Sequence, residues 1–254
     1  MSFDAGWLAL REPADAAARD PGLLAAARAA LGGGRALDLG CGTGATPRAF
    51  AGAGRWRLLD RDPGLLAIAA ARCPGAELVA ADLAALDGLP LADVAMVTAS
   101  ALLDLVSQDW VDGFTARAAS AGVAVYAALS YDGSLAWDPP LPGDAVVAAA
   151  FNADQRRDKG LGPALGPAGG TALAAALAAR GYRVATAPSP WRLGPGEAAL
   201  QAALVEGIAA AAAAPDGWRQ ARLAASATSR LTVGHVDVLA LPSAQSKITS
   251  DSSP

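Results

Sequence analysis

The chain has 254 residues, 53% of them hydrophobic, and its formal net charge at pH 7 is −4. This length and composition suit one domain with a sizeable core. Because only 20 basic residues are spread through an acidic chain, attraction to nucleic acid or to an anionic membrane is weak, and we expect neither as a partner.

Two cysteines, Cys41 and Cys73, are too few for a disulfide framework or a cysteine-based zinc site, and we expect no metal. They fit a protein of the reducing cytoplasm. The sequence does not open on a basic segment followed by an apolar one, and it has no uncharged apolar run of about 18 residues. We therefore expect neither a secretion signal nor a membrane-spanning helix, and the oligomeric state stays open.

Strand and helix patterns alternate along the first half of the chain. An amphipathic lead-in at 1–20 precedes a helix at 21–31, which ends at three glycines. This alternation, with short connections, predicts a mostly parallel sheet with helices on both faces. The strands are predicted at 35–39, 55–60, 76–82, 92–101 and 122–133, and the helices between them at 46–54, 63–73 and 108–122.

The second half of the chain is less regular. Residues 134–170 are rich in proline and glycine and are predicted to form an insertion over the sheet edge. We predict one domain at 1–242 with cap elements at about 134–170 and 195–229, and a disordered tail at 243–254. The remaining elements are a helix at 169–181, a strand at 182–188, two helices within 195–229 and a strand at 229–242.

The stretch ALDLGCGTG places Gly40, Gly42 and Gly44 directly after the first predicted strand. Glycine permits positive φ angles and lets a ligand approach the backbone closely. In an open α/β sheet, ligands bind at the carboxyl ends of the strands. The spacing G-x-G-x-G differs from the dinucleotide fingerprint G-x-G-x-x-G, and a glycine match alone is weak evidence.

Acidic residues at three strand ends strengthen this interpretation. Asp38 lies two residues before the first glycine, Asp60 ends the second strand 16 residues after Gly44, and Asp82 ends the third strand. A carboxylate accepts hydrogen bonds from both hydroxyls of a ribose, because it offers several lone pairs and no donor.

The segments DLGCGTG, LLDRDP, VAADL and VTASALLDL resemble the class I S-adenosylmethionine-dependent methyltransferases of the small-molecule type. The resemblance covers about 35–130 and extends by sheet order to about 241. It implies a Rossmann-like, seven-stranded, mostly parallel sheet with helices on both faces and a small helical cap. The segments YRVATAP and LTVGHVDVLALP would form its antiparallel last hairpin, and S-adenosyl-L-methionine would be the cofactor.

The resemblance also implies roles for individual residues. The glycine loop would lie beneath the methionine part of the cofactor, and Asp38 near its ammonium group. Asp60 would bind the ribose diol, Asp82 would lie beside the adenine amino group, and Leu83 would add a backbone contact. We expect cofactor contacts from Arg11, Asp38, Gly40, Cys41, Gly42, Gly44, Asp60, Arg61, Asp82, Leu83 and Ser100.

Candidates for catalysis follow the fourth and fifth strands. Asp104 stands where many family members have a histidine, which excludes histidine-based proton abstraction from that position. It is a candidate substrate contact or base. Tyr131 and Asp132 end the fifth strand, at the edge that faces the methyl group in this architecture, so we expect them near the reaction.

Candidates for acceptor binding lie further along. The polar segment FNADQRRDKG is either a solvated loop or a lid whose Asn152, Arg156 and Lys159 hold a carboxylate or phosphate of the substrate. Trp191 is predicted to wall an aromatic pocket. The lone histidine, His235, lies in a predicted strand and is expected to be structural unless the strand directs it toward the site.

The resemblance leads us to expect methyl transfer to a small organic acceptor by in-line displacement. A catalytically inactive, cofactor-binding partner subunit stays open, because no obvious base occurs. A nicotinamide-dependent oxidoreductase is disfavoured by the glycine spacing and by the antiparallel last hairpin. A nucleic-acid methyltransferase is disfavoured by the acidic balance.

Overall fold

The computed structural model describes residues 4–243, so the predicted tail lies outside the described residues except for Ser243. The helices within this range are α1 (Ala5–Ala18), α2 (Pro21–Leu31), α3 (Ala45–Ala49), α4 (Pro63–Arg72), α5 (Gln108–Ala121), α6 (Asp144–Asp154), α7 (Gly169–Ala179), α8 (Ala198–Ala212) and α9 (Asp216–Ala225). The strands are β1 (Arg35–Leu39), β2 (Arg55–Asp60), β3 (Glu77–Ala80), β4 (Val94–Ser100), β5 (Ala124–Asp138), β6 (Tyr182–Pro188), β7 (Trp191–Leu193) and β8 (Arg230–Pro242).

These strands form one sheet in the order β3-β2-β1-β4-β5-β8-β6. The pairs from β3 to β5 are parallel, whereas β8 runs antiparallel to both β5 and β6. This confirms the predicted α/β fold and its antiparallel last hairpin. The short strand β7 also pairs with β8, so the described sheet has eight strands rather than seven.

Successive side chains of a strand point to opposite faces of the sheet, and both faces of the central strands are covered by helices and buried. On β1, Leu37 and Leu39 pack in a core with Trp110, Phe114 and other residues of α5. Ala36, which precedes Leu37 and points to the other face, packs in a second core with residues of α2. A continuous apolar run is therefore what this strand requires.

A third core lies beyond the carboxyl end of the sheet and joins the long strands to α6, α8 and α9. The sequence predicts that β5 ends at Gly133, and this is wrong. The strand continues antiparallel to β8 as far as Asp138, and the third core forms on this extension. Within this extension Leu135 and Trp137 contribute to the core. The Pro/Gly-rich segment thus begins as a strand and includes α6, which the composition concealed.

The buried carboxylate of Asp237 joins three parts of the fold. Its Oδ1 accepts a hydrogen bond from the backbone N–H of Leu129 at 2.8 Å, where a bulge interrupts the β5–β8 ladder. Its Oδ2 accepts one from the backbone N–H of Asp20 at 3.0 Å. The two-residue connection between α1 and α2 is thereby held against the sheet.

None of the helices within residues 4–243 is long and apolar enough to cross a membrane. The same residues contain no group of three or more His, Cys, Asp or Glu side chains arranged to hold a metal ion.

Candidate active site

The glycine loop follows β1 and is covered by α1. Gly42 has φ +53°, and a Cβ there would lie 3.1 Å from the Cδ1 of Leu8 on α1. Gly44 has φ +80°, and a Cβ there would lie only 2.7 Å from the Sγ of Cys73. A side chain would strain the backbone at both positions, and at Gly44 it would also press against Cys73.

Asp60, at the end of β2, is tied to this loop. Its Oδ2 accepts a hydrogen bond from the backbone N–H of Gly42 at 2.9 Å, and its Oδ1 accepts one from Asp62 at 3.0 Å. Each carboxylate oxygen has a further lone pair. Asp60 lines a cavity, so it presents a fixed hydrogen-bond acceptor to a ligand there.

The cavity lies at the carboxyl ends of β1, β2 and β4, between α1 and the loop after α6. It brings together most of the expected cofactor contacts and one expected acceptor contact. Those that line it are Arg11, Gly40, Cys41, Gly42, Asp60, Arg61, Asp82, Leu83, Ser100 and Lys159. It is also lined by residues that the sequence did not single out, among them Leu8, Asp15, Arg19, Thr43, Thr46, Leu102, Leu105 and Leu161.

Asp38 and Gly44, in contrast, lie outside the cavity lining. The Asp38 carboxyl is fully buried and accepts a hydrogen bond from the Oγ1 of Thr98 at 2.7 Å. Burial raises the pKa of Asp38 to about 7, although Thr98 and the positive charge of Arg19 act in the opposite direction. Asp38 therefore underlies the wall of the cavity, where the sequence predicted a direct contact.

Arg19 is the principal functional candidate that the sequence reasoning missed. It is 4% exposed, lines the cavity, and donates a hydrogen bond from Nη2 to the Oγ of Ser100 at 2.9 Å. The segment around it was interpreted only as a lead-in. A helical interpretation would have found it, because Leu8, Arg11 and Asp15 recur at helical spacing and share one face.

The predicted catalytic residues lie beside the cavity and do not line it. The Oδ1 of Asp104 is buried and has no hydrogen-bond partner among residues 4–243. Burial raises the pKa of Asp104, opposed by the charges of Arg11 and Lys159. The Tyr131 hydroxyl donates to Asn152 at 2.8 Å, while the exposed Asp132 accepts from the backbone of Ser134.

Trp191 lies behind Arg11 and does not wall the cavity. Its Nε1 donates to the Oδ1 of Asp15 at 3.0 Å, and Asp15 also accepts hydrogen bonds from two nitrogens of Arg11. The Arg11 guanidinium carbon is 4.9 Å from the centre of a Trp191 ring. Trp191 therefore orients Arg11 from behind.

Two further candidates, Arg156 and His235, also lie outside the cavity lining. Arg156 is exposed and donates to the carbonyl oxygen of Asn152 at 3.0 Å, outside the cavity. His235 is buried, and its ring centre is 5.1 Å from that of Trp191. Burial and the charge of Arg11 lower the pKa of His235 to about 4, so its imidazole is neutral at pH 7.

Comparison with known proteins is consistent with this geometry. Residues 36–121 match the family model of a methyltransferase domain. A comparison with curated proteins gave no match.

Solved structures resemble the chain over most of its length. A Bacillus halodurans protein described as a candidate methyltransferase is 15% identical, with a TM-score of 0.54, over 88% of this chain and 99% of its own. The YcgJ protein of Bacillus subtilis is 12% identical, with a TM-score of 0.53, over 88% and 100%. A structure described for the conversion of a disulfide bond into a thioacetal group in echinomycin biosynthesis is 19% identical, with a TM-score of 0.50, over 89% and 83%. At these identities the likeness shows the fold.

The matched segment, the strand order and the glycine loop agree with one another. Residues 36–121 are similar to a methyltransferase domain, and the strand order is that of the solved structures it resembles in fold. The match agrees with the methyltransferase resemblance that the sequence predicts.

Proposed function

We propose that this protein transfers the methyl group of S-adenosylmethionine to a small organic acceptor by in-line displacement. The observation that carries the proposal is the fixed carboxylate of Asp60, which faces a cavity floored by the glycine loop. In this proposal, Asp60 accepts hydrogen bonds from the two ribose hydroxyls. Asp82 and the backbone of Leu83, both at the cavity, bind the adenine edge.

The methionine end of the cofactor carries a carboxylate and an ammonium group, and buried groups that fit both lie near Ser100. The Nη1 of Arg19 and the Oδ2 of Asp38 are buried without hydrogen-bond partners among residues 4–243. An unpaired buried polar atom is costly, so ligand atoms that pair with it gain affinity. Arg19 binds the carboxylate in this proposal, and Asp38 stabilises the ammonium from beneath the wall.

When bound, S-adenosylmethionine would supply a methyl group made electrophilic by its positively charged sulfur. The protein's part is to position the two reactants, which in well-oriented cases lowers a barrier by about 7–11 kcal/mol. Leu8, Leu102 and Leu161 line the cavity and exclude water from it.

We assign acceptor contacts to the side of the cavity next to Asp104. Its unpaired Oδ1 accepts the proton that a hydroxyl or protonated amine must lose, and a raised pKa favours that role. Lys159 lines the cavity and contacts the acceptor directly. Tyr131, Asp132, Asn152 and Arg156 stay predicted acceptor contacts that require the loop after α6 to move, and Trp191 acts through Arg11.

Calorimetric titration of the protein with S-adenosylhomocysteine, S-adenosylmethionine and NAD tests the cofactor site. We expect micromolar binding of the two sulfur compounds, weakened in Asp60→Ala, and no binding of NAD. An acceptor panel of phenols, amines, thiols and carboxylic acids, assayed for S-adenosylhomocysteine release, tests the transfer. Cofactor binding without turnover on any acceptor would favour the inactive partner subunit instead.

A further inference from the structure

The connection between α1 and α2 consists of Arg19 and Asp20 alone. Its peptide N–H, on Asp20, donates to the Oδ2 of Asp237 at 3.0 Å. This peptide group follows the Cα of Arg19 directly, so fixing it fixes the direction in which the Arg19 side chain leaves the backbone. We propose that Asp237, outside the cavity, is a positioning residue that holds Arg19 ready for the cofactor carboxylate.

Burial and partners support this role. Asp237 is 0% exposed, and its second oxygen is occupied by the backbone N–H of Leu129 at 2.8 Å. Charge-assisted hydrogen bonds from backbone N–H groups are short and strong, so the carboxylate has little freedom. One rigid group on β8 therefore sets the position of the peptide that follows Arg19.

The other end of Arg19 is also fixed, which makes its position well defined. Its Nη2 donates to the Oγ of Ser100 at 2.9 Å, and that hydroxyl lies 3.1 Å from the Oγ1 of Thr46. Its Nη1 has no partner among residues 4–243. The backbone is thus held through Asp237 and the guanidinium through Ser100, while one nitrogen is left for a ligand.

This inference rests on the proposed function, in which Arg19 binds the cofactor. A positioning role differs from a purely structural role in that the effect of changing Asp237 on binding depends on whether Arg19 is present. If Asp237 acts through Arg19, its loss weakens S-adenosylhomocysteine binding only while Arg19 is present. If Asp237 serves the fold alone, its loss lowers stability and leaves the dissociation constant unchanged.

The sharpest experiment replaces the Asp20 N–H by the ring carbon of proline, which removes the hydrogen bond and displaces the Asp237 carboxylate, whose Oδ2 lies 3.0 Å from the Asp20 nitrogen. Asp20 has φ −62° and Arg19 has ψ 133°, values that proline and the residue before proline adopt. Asp20→Pro also removes a side chain that caps α2 by accepting from Leu23. Asp20→Ala, which loses the cap and keeps the N–H, is therefore the matched control.

We expect Asp20→Pro to bind S-adenosylhomocysteine about tenfold more weakly than Asp20→Ala, with titrations done where both are folded. Asp237→Asn should weaken binding similarly, and neither change should matter in an Arg19→Met background.

Each failure has a separate signature. Equal binding by Asp20→Pro and Asp20→Ala would overturn the inference even if Asp237→Asn fails to fold. A loss that persists unchanged in the Arg19→Met background would overturn it as well, since the effect would not pass through Arg19. A wild-type protein that does not bind S-adenosylhomocysteine would instead refute the proposed function.

Discussion

The Oδ2 of Asp60 and the backbone nitrogen of Gly42 lie 2.9 Å apart, so the acid proposed to bind the ribose is hydrogen-bonded to the glycine loop. The backbone N–H of Asp62 holds the other carboxylate oxygen at 3.0 Å. Both oxygens are thereby oriented before any ligand arrives, which lowers the entropic cost of binding. Removal of the Asp60 carboxylate is therefore expected to remove a ligand contact and also a hydrogen bond that holds the glycine loop.

Asp60→Ala should weaken S-adenosylhomocysteine binding by about 1–3 kcal/mol, the scale of hydrogen bonds that involve a charged group. Calorimetry gives the affinity directly. The neighbouring Asp62→Ala is the control, because it removes the α4 cap to Gly64 and Leu65 but keeps the backbone N–H that donates to Asp60. It should cost about 1 kcal/mol of stability without changing affinity. Arg156→Ala should also leave affinity unchanged. Equal affinity of Asp60→Ala and wild type would refute the ribose assignment.

The buried Asp38 should make the protein less stable as the pH rises toward 7. Its pKa is about 7 in the folded protein and near 3.8 ordinarily, so between these values the folded state binds more protons than the unfolded state. The free energy of unfolding then falls with increasing pH. Urea unfolding at pH 5 and pH 8 should show a larger loss for wild type than for Asp38→Asn. Identical losses would mean that Asp38 is ionised throughout.

His235 should act on stability with the opposite sign. Burial lowers its pKa to about 4 from an ordinary 6.5, so the unfolded state binds more protons between these values. Its contribution is complete above pH 6.5 and is lost as the pH falls toward 4. His235→Gln should therefore have a flatter dependence of unfolding free energy on pH in this window. An unaltered acid limb would count against a buried neutral imidazole.

The contact between α6 and α9 should depend on one ion pair, that of Asp144 with Arg222. Arg222 is 1% exposed, hydrogen-bonds to Asp144, and lies 5.0 Å from the centre of a Trp137 ring. Burial opposes ionisation of Asp144, but hydrogen bonds led by Arg222 leave its pKa lowered. Arg222→Ala should cost about 3–5 kcal/mol in urea unfolding, because it leaves a partly buried carboxylate unpaired.

Arg219 on the same helix provides the comparison for that measurement. Its ion pair with Glu206 is exposed to solvent, so Arg219→Ala should cost less than about 1 kcal/mol. Similar losses for Arg219→Ala and Arg222→Ala would show that burial of the pair does not matter to the stability of the cap.

The order of elements, the parallel sheet and the antiparallel hairpin of β6 and β8 could be predicted from the sequence. They follow from local patterns: apolar runs of strand length, glycines at turns, and acids at strand ends such as Asp60 and Asp82. The glycine loop could also be predicted from the sequence, because positive φ angles and the close approach of neighbouring atoms to the backbone leave few alternatives to glycine. The extension of β5 beyond Gly133 could not be predicted, because nearby proline and glycine residues obscured the strand-like alternation of apolar and polar residues at Leu135 and Trp137.

What only the tertiary structure decided is which polar side chains meet. Arg19 lines the cavity, and the peptide that follows it donates a hydrogen bond to Asp237, 218 positions further along the chain than Arg19. Asp38 and Trp191 lie behind the wall because Thr98 and Asp15 bind them there. Spacing along a chain determines the local period of helices and strands, whereas these contacts depend on the packing of distant elements. The sequence by itself therefore determined the class of fold, and the folded packing determined the side chains that face its cavity.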